Sequence, residues 1–165
     1  MLTKPNIQLN KVTNITPDLL KRHNINCLIL DVDNTICINK GKSMIVGANR
    51  WLLKMKAAGI KLIILSNATP QRMVPIAQRL DLPMVALGLK PLPFGYFRAA
   101  KKMDVSIKNC DIVGDQLLTD ILGGNLAGVK TILVTPTLLE TSRGFKIKRA
   151  IERKLLKFHK LKCNF

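Results

Sequence analysis

Five short apolar runs alternate with helical segments along most of this chain, and this alternation limits the fold more than any other feature. The runs span residues 27–31, 61–65, 84–87, 111–113 and 131–134. Each is mostly apolar on both faces, which is typical of parallel strands that helices cover on both sides. We therefore predict an α/β fold, a single Rossmann-like three-layer sandwich with a five-stranded parallel sheet.

The segments between the runs carry the 3.6-residue spacing of helices. Helices are predicted over residues 48–58, 73–80, 93–103 and 119–127. Gly59 and Gly128 directly follow two of them, where glycine commonly ends a helix. Pro75 would interrupt a helix that began at Pro70, so the second helix is expected to start late or to kink.

The chain is strongly basic, with 27 Lys and Arg against 10 acids and a formal net charge of +17. Such a charge attracts nucleic acid, anionic lipid or phosphorylated ligands, and it says nothing about the fold. No apolar run reaches the roughly 18 residues of a membrane-spanning helix, and the first residues lack a signal peptide's apolar segment. We expect one soluble, cytoplasmic domain spanning residues 1–165.

Polar side chains follow four of the five predicted strands. In chain order they are Asp31 and Asp33, Ser66 and Asn67, Lys90, and Asp115 and Asp120. Ligands of parallel sheets bind beyond the carboxyl ends of the strands, so these side chains are expected to share one site. Dehydrating the first two carboxylates is costly unless another charge compensates them. The pattern predicts a metal ion and a phosphate at this edge of the sheet.

These groups occur as an ordered set, DVDNT, LSN, a lysine ahead of a helix, and VGDQLLTD. The set resembles the four motifs of the haloacid dehalogenase superfamily of aspartate-based phosphohydrolases, over about residues 27–134. The finer pattern, with SNAT, LKPLPFGYFRAAKKM, GDQLLTDILGGN and a basic tail, is similar to subfamily IIIA and its YqeG-like branch, which is related to phosphatidylglycerophosphate phosphatases. The resemblance implies hydrolysis of phosphomonoesters with Mg²⁺ as the cofactor.

The resemblance also implies roles for the four aspartates. Asp31 would be the nucleophile, forming an aspartyl-phosphate, and a metal ligand. Asp33 would protonate the leaving oxygen and then deprotonate the hydrolytic water, while its backbone carbonyl binds the metal. Asp115 would be the second carboxylate ligand of the metal. Asp120 would hold metal-bound water or orient the lysine.

The substrate phosphate is assigned to three further residues. Ser66 and a backbone N–H near Asn67 would hold a phosphoryl oxygen, and Lys90 would compensate the charge of the transferring group. Each motif alone also fits an ordinary turn or helix cap. Their order at four successive strand ends is what favours a catalytic site.

The sequence leaves no room for the cap domain that many superfamily members insert. Only a short segment separates Thr35 from the next predicted helix, and almost none separates Leu87 from Lys90. Residues 37–46 would form at most a small flap. An open site suits a bulky substrate, a lipid surface or a macromolecule that itself excludes water.

The C-terminal segment, about residues 143–162, is predicted to be a basic helix with nine Lys and Arg and one acid, Glu152. Its apolar stripe consists of Ile147, Ile151, Leu155, Phe158 and Leu161. Three interpretations stay open. The helix docks on the sheet with its basic face in solvent, lies on an anionic membrane, or binds nucleic acid.

The preferred function is therefore that of a Mg²⁺-dependent phosphatase acting on phosphatidylglycerophosphate in phospholipid synthesis, in the cytoplasm or peripheral on the inner face of the membrane. One alternative is a phosphatase of a soluble metabolite or of a nucleic-acid end. The other is a non-catalytic, basic RNA-binding protein, which the intact DVDNT and GDQLLTD motifs argue against. The oligomeric state is not predicted.

Overall fold

A computed structural model describes residues 1–138 and 143–161. Its centre is a parallel sheet of six strands, β1 (Ile7–Leu9), β2 (Cys27–Leu30), β5 (Lys61–Leu65), β6 (Met84–Val85), β7 (Cys110–Gly114) and β8 (Lys130–Val134). Two further strands, β3 (Cys37–Ile38) and β4 (Ser43–Met44), form a small antiparallel hairpin. The order in the large sheet is β1-β8-β7-β2-β5-β6.

Within the described residues six α-helices accompany the sheet: α1 (Pro17–Arg22), α2 (Ala48–Ala57), α3 (Pro70–Leu80), α4 (Phe94–Lys102), α5 (Leu122–Ala127) and α6 (Arg143–Phe158). Successive strand residues point to opposite faces, so Leu28 and Leu30 join the apolar cluster formed with α1, α2 and α3. Ile29 joins the cluster formed with α4 and α5 on the other face. The predicted three-layer α/β fold is confirmed.

The structure differs from the predicted elements in three places. The sheet has six strands because β1 pairs with β8, and three residues are too few to display a strand pattern in the sequence. The strand predicted over residues 84–87 ends at Val85, since Leu87 has a left-handed backbone with φ of 47°. Of the two outcomes expected for α3, the late start is wrong, and a kink at Pro75 stays a prediction. The helix begins at Pro70, where a missing N–H costs nothing, and it contains Pro75.

The strand order places the carboxyl ends of β2 and β7 at the centre of the molecule. From β2 the sheet continues through β5 and β6 to one side, and through β7 and β8 to the other. This reversal of direction opens a crevice beyond the carboxyl ends of β2 and β7. The segments that follow these two strands carry Asp31 and Asp115.

The helices of the described ranges, 1–138 and 143–161, include none that is long and apolar enough to cross a membrane. The longest, α6, has 16 residues and is rich in lysine and arginine.

Candidate active site

Lys90 lies at the centre of the crevice between two carboxylates. Its Nζ is 2.6 Å from Asp31 Oδ1 and 2.7 Å from Asp120 Oδ1. All three residues are buried. Asp31 directly follows β2, and its N–H extends the strand ladder by donating to Val113 O at 2.9 Å. The sheet therefore fixes the backbone of the predicted nucleophile.

The segment that carries Lys90 is held by the predicted phosphate-binding turn after β5. The Asn67 side chain donates to Lys90 O at 2.8 Å and accepts from Lys90 N at 2.7 Å. Ser66 Oγ accepts from Ala68 N at 3.1 Å, which tightens the same turn. The amide side chain of Asn67 thus positions Lys90, and the assignment of a phosphate to the backbone near Asn67 stays a prediction.

Asp120 lies in a π-helical turn, Leu117–Ile121, that precedes α5. Its Oδ2 accepts from Gln116 N at 3.2 Å, while its Oδ1 meets Lys90. Gly114 makes this arrangement fit, because a Cβ at that position would lie 2.3 Å from the Asp120 carboxylate. Asp120 thus contacts the lysine that it was predicted to orient, and the catalytic role of this contact stays a prediction.

Asp115 is fully buried and is held by a residue that the sequence did not predict. Arg149 of α6 forms an ion pair with the Asp115 carboxylate and donates to Asp115 O at 2.8 Å. The same guanidinium lies 2.7 Å from Glu152 Oε2, and Glu152 Oε1 accepts from Leu118 N at 3.2 Å. The C-terminal helix is therefore part of the site, through its inward face.

Asp33 lies nearer to solvent than the other aspartates. Both of its carboxylate oxygens are 2.6 Å from Arg72 Nη2, and the two side chains are about one-third exposed. Arg72 belongs to α3 and was not predicted as a site residue. Its contact holds the Asp33 carboxylate in a partly exposed position.

Burial and neighbouring opposite charges act in opposite directions on the pKa of Asp31, Asp115 and Lys90, and all three pKa values are raised. Burial raises the pKa of Asp31 to about 7, although the neighbouring Lys90 opposes this effect. Burial also raises the pKa of Asp115 well above its usual value, against the opposing charge of Arg149. Burial alone would lower the pKa of Lys90, but the Asp120 and Asp31 carboxylates outweigh it and raise that pKa. One ammonium shared by two carboxylates stays charged without neutralising both.

The donor set fits a divalent cation. One oxygen each of Asp31, Asp115 and Asp120 lies within 4.8 Å of the others. Asp31 Oδ2 and Asp115 Oδ1 are buried and accept no hydrogen bond from any residue that the structure describes. With Glu152, the cluster has four carboxylates against two cations, Lys90 and Arg149, so two formal negative charges are in excess. Oxygen ligands of this kind are those that Mg²⁺ prefers.

The β3–β4 hairpin occupies the position of the predicted flap and is only a few residues long.

On the C-terminal helix, Ile147, Ile151 and Phe158 are exposed, whereas Leu155 and Leu161 are half-buried against the core. The predicted apolar stripe is thus divided between solvent and protein. Lys162 of the predicted basic tail lies outside the described residues.

Two family models match parts of the chain. A model for HAD-hydrolase-like proteins matches residues 89–138, which include Lys90, Asp115 and Asp120. A model for mitochondrial PGP phosphatase matches residues 1–77, which include Asp31 and Asp33. Together the two matches cover all of the predicted site residues.

The chain is also similar to individual proteins, one in sequence and two in fold. A protein from Bacillus subtilis (strain 168), "Probable phosphatase YqeG", is 35% identical over 154 residues, which cover 92% of this chain and 88% of that protein. A crystal structure of 4-nitrophenylphosphatase from Thermotoga maritima has a TM-score of 0.60 at 13% identity, covering 74% of this chain and 89% of that one. The cobalt-bound deoxy-D-mannose-octulosonate 8-phosphate phosphatase from Haemophilus influenzae has a TM-score of 0.52 at 17% identity, covering 83% and 90%.

Proposed function

The chain belongs to the haloacid dehalogenase superfamily of phosphatases, in the branch that contains YqeG, and on this basis we propose that it hydrolyses the phosphomonoester of a lipid through a phosphoryl group carried on Asp31. The observation that carries the proposal is the arrangement of Asp31. One of its oxygens is held by Lys90, and the other is buried without a hydrogen-bond partner among the described residues. Such an oxygen is suited to a metal ion or to attack on phosphorus.

Asp31 and Asp115 are the residues that would hold Mg²⁺, with the Asp33 backbone carbonyl as a further ligand. When bound, the ion would neutralise the phosphate dianion, which otherwise repels an attacking carboxylate. The excess of two negative charges in the cluster supports this assignment.

In the first half-reaction an Asp31 oxygen attacks the phosphorus, and the bond from phosphorus to the leaving oxygen breaks. Asp33 donates a proton to that oxygen, which requires its contact with Arg72 to exchange for the substrate. In the second half-reaction Asp33 takes a proton from water, the water oxygen attacks the phosphorus, and the Asp31 carboxylate is released with inorganic phosphate. Lys90 remains between Asp31 and Asp120 throughout, where its charge stabilises the transferring group.

Three observations support a lipid substrate, with phosphatidylglycerophosphate as the preferred one. The model for mitochondrial PGP phosphatase matches the half of the chain that holds Asp31 and Asp33. The net charge of +17 suits an anionic membrane surface. The flap beside the crevice is too small to enclose a substrate. We accordingly place the protein in the cytoplasm, peripheral on the inner face of the membrane.

The test is a turnover assay with a panel of phosphomonoesters. An aryl phosphate should be hydrolysed with Mg²⁺ and not after chelation, and Asp31→Asn should abolish turnover because no nucleophile remains. Asp33→Asn should lower the rate about 10²- to 10⁴-fold, the range expected for loss of a general acid and base.

The panel contains phosphatidylglycerophosphate, soluble sugar phosphates and 5′-phosphorylated RNA. Preference for a soluble phosphate or for RNA would contradict the lipid assignment, and turnover by Asp31→Asn would contradict the mechanism.

A further inference from the structure

Large exposed apolar side chains flank Lys90 along the chain and continue into α4. These residues, which we call the apolar rim, are Leu87, Leu89, Leu92, Phe94 and Phe97. They are exposed by 47% to 62%, although side chains of this size are usually withdrawn from water. Several large exposed apolar side chains in one short stretch of chain indicate a place where another molecule binds.

The rim is fixed to the catalytic crevice through its backbone. Leu87 N donates to Ala68 O at 3.0 Å, and Gly88 N donates to Ser66 O at 2.9 Å, so the loop is fastened to the turn after β5. Lys90 lies between rim residues in the chain, yet its side chain points inward and is buried. One loop therefore presents the catalytic cation to the crevice and leucines to the solvent.

Two of the rim leucines occupy a backbone conformation that does not suit them. Leu87 has φ of 47° and Leu89 has φ of 56°, in the left-handed region where Gly and Asn are favoured. An exposed leucine in this region destabilises the fold in two ways. Its backbone is strained, and its apolar side chain stays in contact with water. Outliers of this kind gather at binding and catalytic sites, where the local cost is part of a function.

Basic residues accompany the apolar ones on the exposed face of α4. At 100° per residue, Arg98 and Lys101 lie on the same side of the helix as Phe94 and Phe97, and all four are exposed. Aromatic residues flanked by lysine and arginine are the composition of a surface that lies in the headgroup region of an anionic bilayer. The charge of this face thus favours anionic lipid over a neutral apolar partner.

We propose that the apolar rim docks on an anionic lipid bilayer and brings the crevice to the phosphate of a lipid within it. This inference rests on the proposed lipid phosphatase function. The bilayer would close the open side of the site, and so take over the water exclusion that a cap domain supplies elsewhere. The substrate would enter with its phosphate toward Lys90 and its acyl chains still in the membrane.

The exposed stripe of α6, formed by Ile147, Ile151 and Phe158, is a competing surface for the same bilayer. It also has lysines and arginines beside it. The two surfaces differ in that only the rim shares a loop with Lys90. Substitutions in each surface therefore separate docking of the site from attachment through the helix.

The experiment is sedimentation of the full chain with vesicles of phosphatidylglycerol and phosphatidylcholine, and with vesicles of phosphatidylcholine alone. The rim variant combines Leu89→Asn, which suits the left-handed backbone, with Phe94→Gln. The helix variant combines Ile151→Gln with Phe158→Gln. Leu53→Gln is the matched control, because Leu53 on α2 is 60% exposed and lies outside both surfaces.

We expect the wild-type chain to bind the anionic vesicles and the rim variant to bind them at least about tenfold more weakly, which corresponds to about 1.4 kcal/mol. The Leu53 control should change binding less than about twofold, a difference below about 0.5 kcal/mol. The rim variant should also hydrolyse an aryl phosphate at the wild-type rate while losing activity on a phosphomonoester lipid in vesicles. Thermal melting should show that it is at least as stable as wild type, because Asn suits the left-handed backbone at position 89.

Three results would overturn the inference. The first is that wild type does not bind the vesicles. The second is that the helix variant loses vesicle binding and the rim variant keeps it. The third is that light scattering finds a dimer for wild type and a monomer for the rim variant. Failure of the proposed function looks different. In that case wild type would bind vesicles through the rim and hydrolyse no phosphomonoester, whereas failure of docking would leave aryl phosphate hydrolysis intact.

Discussion

Strand β7 has a buried aspartate near each of its ends, Asp111 near the amino end and Asp115 just past the carboxyl end. The Asp115 carboxylate forms an ion pair with Arg149 and lies close to the Asp31 and Asp120 carboxylates. Neither carboxylate oxygen of Asp111 has a hydrogen-bond partner among residues 1–138 and 143–161. Burial raises the pKa of both, to about 6 for Asp111.

Burial and a raised pKa therefore do not by themselves identify a functional carboxylate. What distinguishes Asp115 is its surroundings, since α6, the end of β2 and the turn after β7 bring charged groups to it. Around Asp111, the charge that opposes the effect of burial comes, among the residues that the structure describes, from Lys130. The carboxyl end of the sheet is organised for a charged ligand, whereas the amino end merely tolerates one acid.

The largest effect should follow from removing the cation at the carboxyl end. Lys90→Met leaves the Asp31 and Asp120 carboxylates buried without their partner, which costs about 3–5 kcal/mol of unfolding free energy. Loss of one stabilising charge should also lower kcat about 10²- to 10³-fold. Urea unfolding and aryl phosphate turnover measure the two effects. Lys101→Met, at an exposed position, is the control, and equal behaviour of both variants would contradict the account.

Arg149 offers a test of the charge organisation that does not depend on catalysis. Arg149→Met should lower the unfolding free energy by about 3–5 kcal/mol, because Asp115 and Glu152 both lose a buried partner. Adding Glu152→Leu should recover part of this loss, since one of the two uncompensated acids is gone. A double-mutant cycle by urea unfolding gives the coupling. Strict additivity would mean that the two residues act independently.

Asp111→Asn, near the amino end of β7, should raise the free energy of unfolding instead of lowering it. The pKa of Asp111 is about 6 in the folded protein and 3.8 in the unfolded chain, so the folded state binds more protons between these values. Stability is therefore lost as the pH rises from about 4 to 6, by at most about 3 kcal/mol. At pH 8 the variant should be more stable than wild type, and at pH 4 the gain should vanish. The exposed Asp104→Asn should change stability by less than about 0.5 kcal/mol at either pH.

The smallest expected effect is a difference between Asp111 and Asp115 in how much added Mg²⁺ stabilises the folded protein. A cation that binds only the folded state stabilises it by about 2.7 kcal/mol at a concentration of 100 times its Kd. Wild type and Asp111→Asn should gain this stability equally in thermal melts with added Mg²⁺. Asp115→Asn should gain much less. Equal gains in all three proteins would contradict a metal site at the carboxyl end.

The sequence was sufficient for those parts of the site that lie directly after a strand. A short apolar run fixes where a strand ends, and parallel strands bring their ends together, so Asp31 and Asp115 could be placed at one edge. The residues that the sequence did not reveal, Arg72 and Arg149, reach the site from helices. For Arg72, no local sequence feature marks an arginine that reaches inward.

A weak signal for Arg149 did exist. Glu152 is the only acid between residues 143 and 162, and it lies three positions after Arg149. A lone acid in a basic helix indicates a buried partner, whereas the apolar stripe pointed to another face. In the structure Arg149, Glu152 and Leu156 lie inward, while Ile147 and Ile151 lie outward. The inward face of α6 is set by a buried ion pair, and the spacing of apolar residues along the helix does not predict such a contact.

Mass spectrometry of the quenched and digested chain tests most directly whether Asp31 carries the phosphoryl group. Wild-type protein is mixed with Mg²⁺ and excess aryl phosphate, quenched in acid within milliseconds and digested. The account predicts one added phosphoryl group, found on the peptide that contains Asp31, and none in Asp31→Asn. A phosphoryl group on any other residue, or steady turnover by Asp31→Asn, would contradict it.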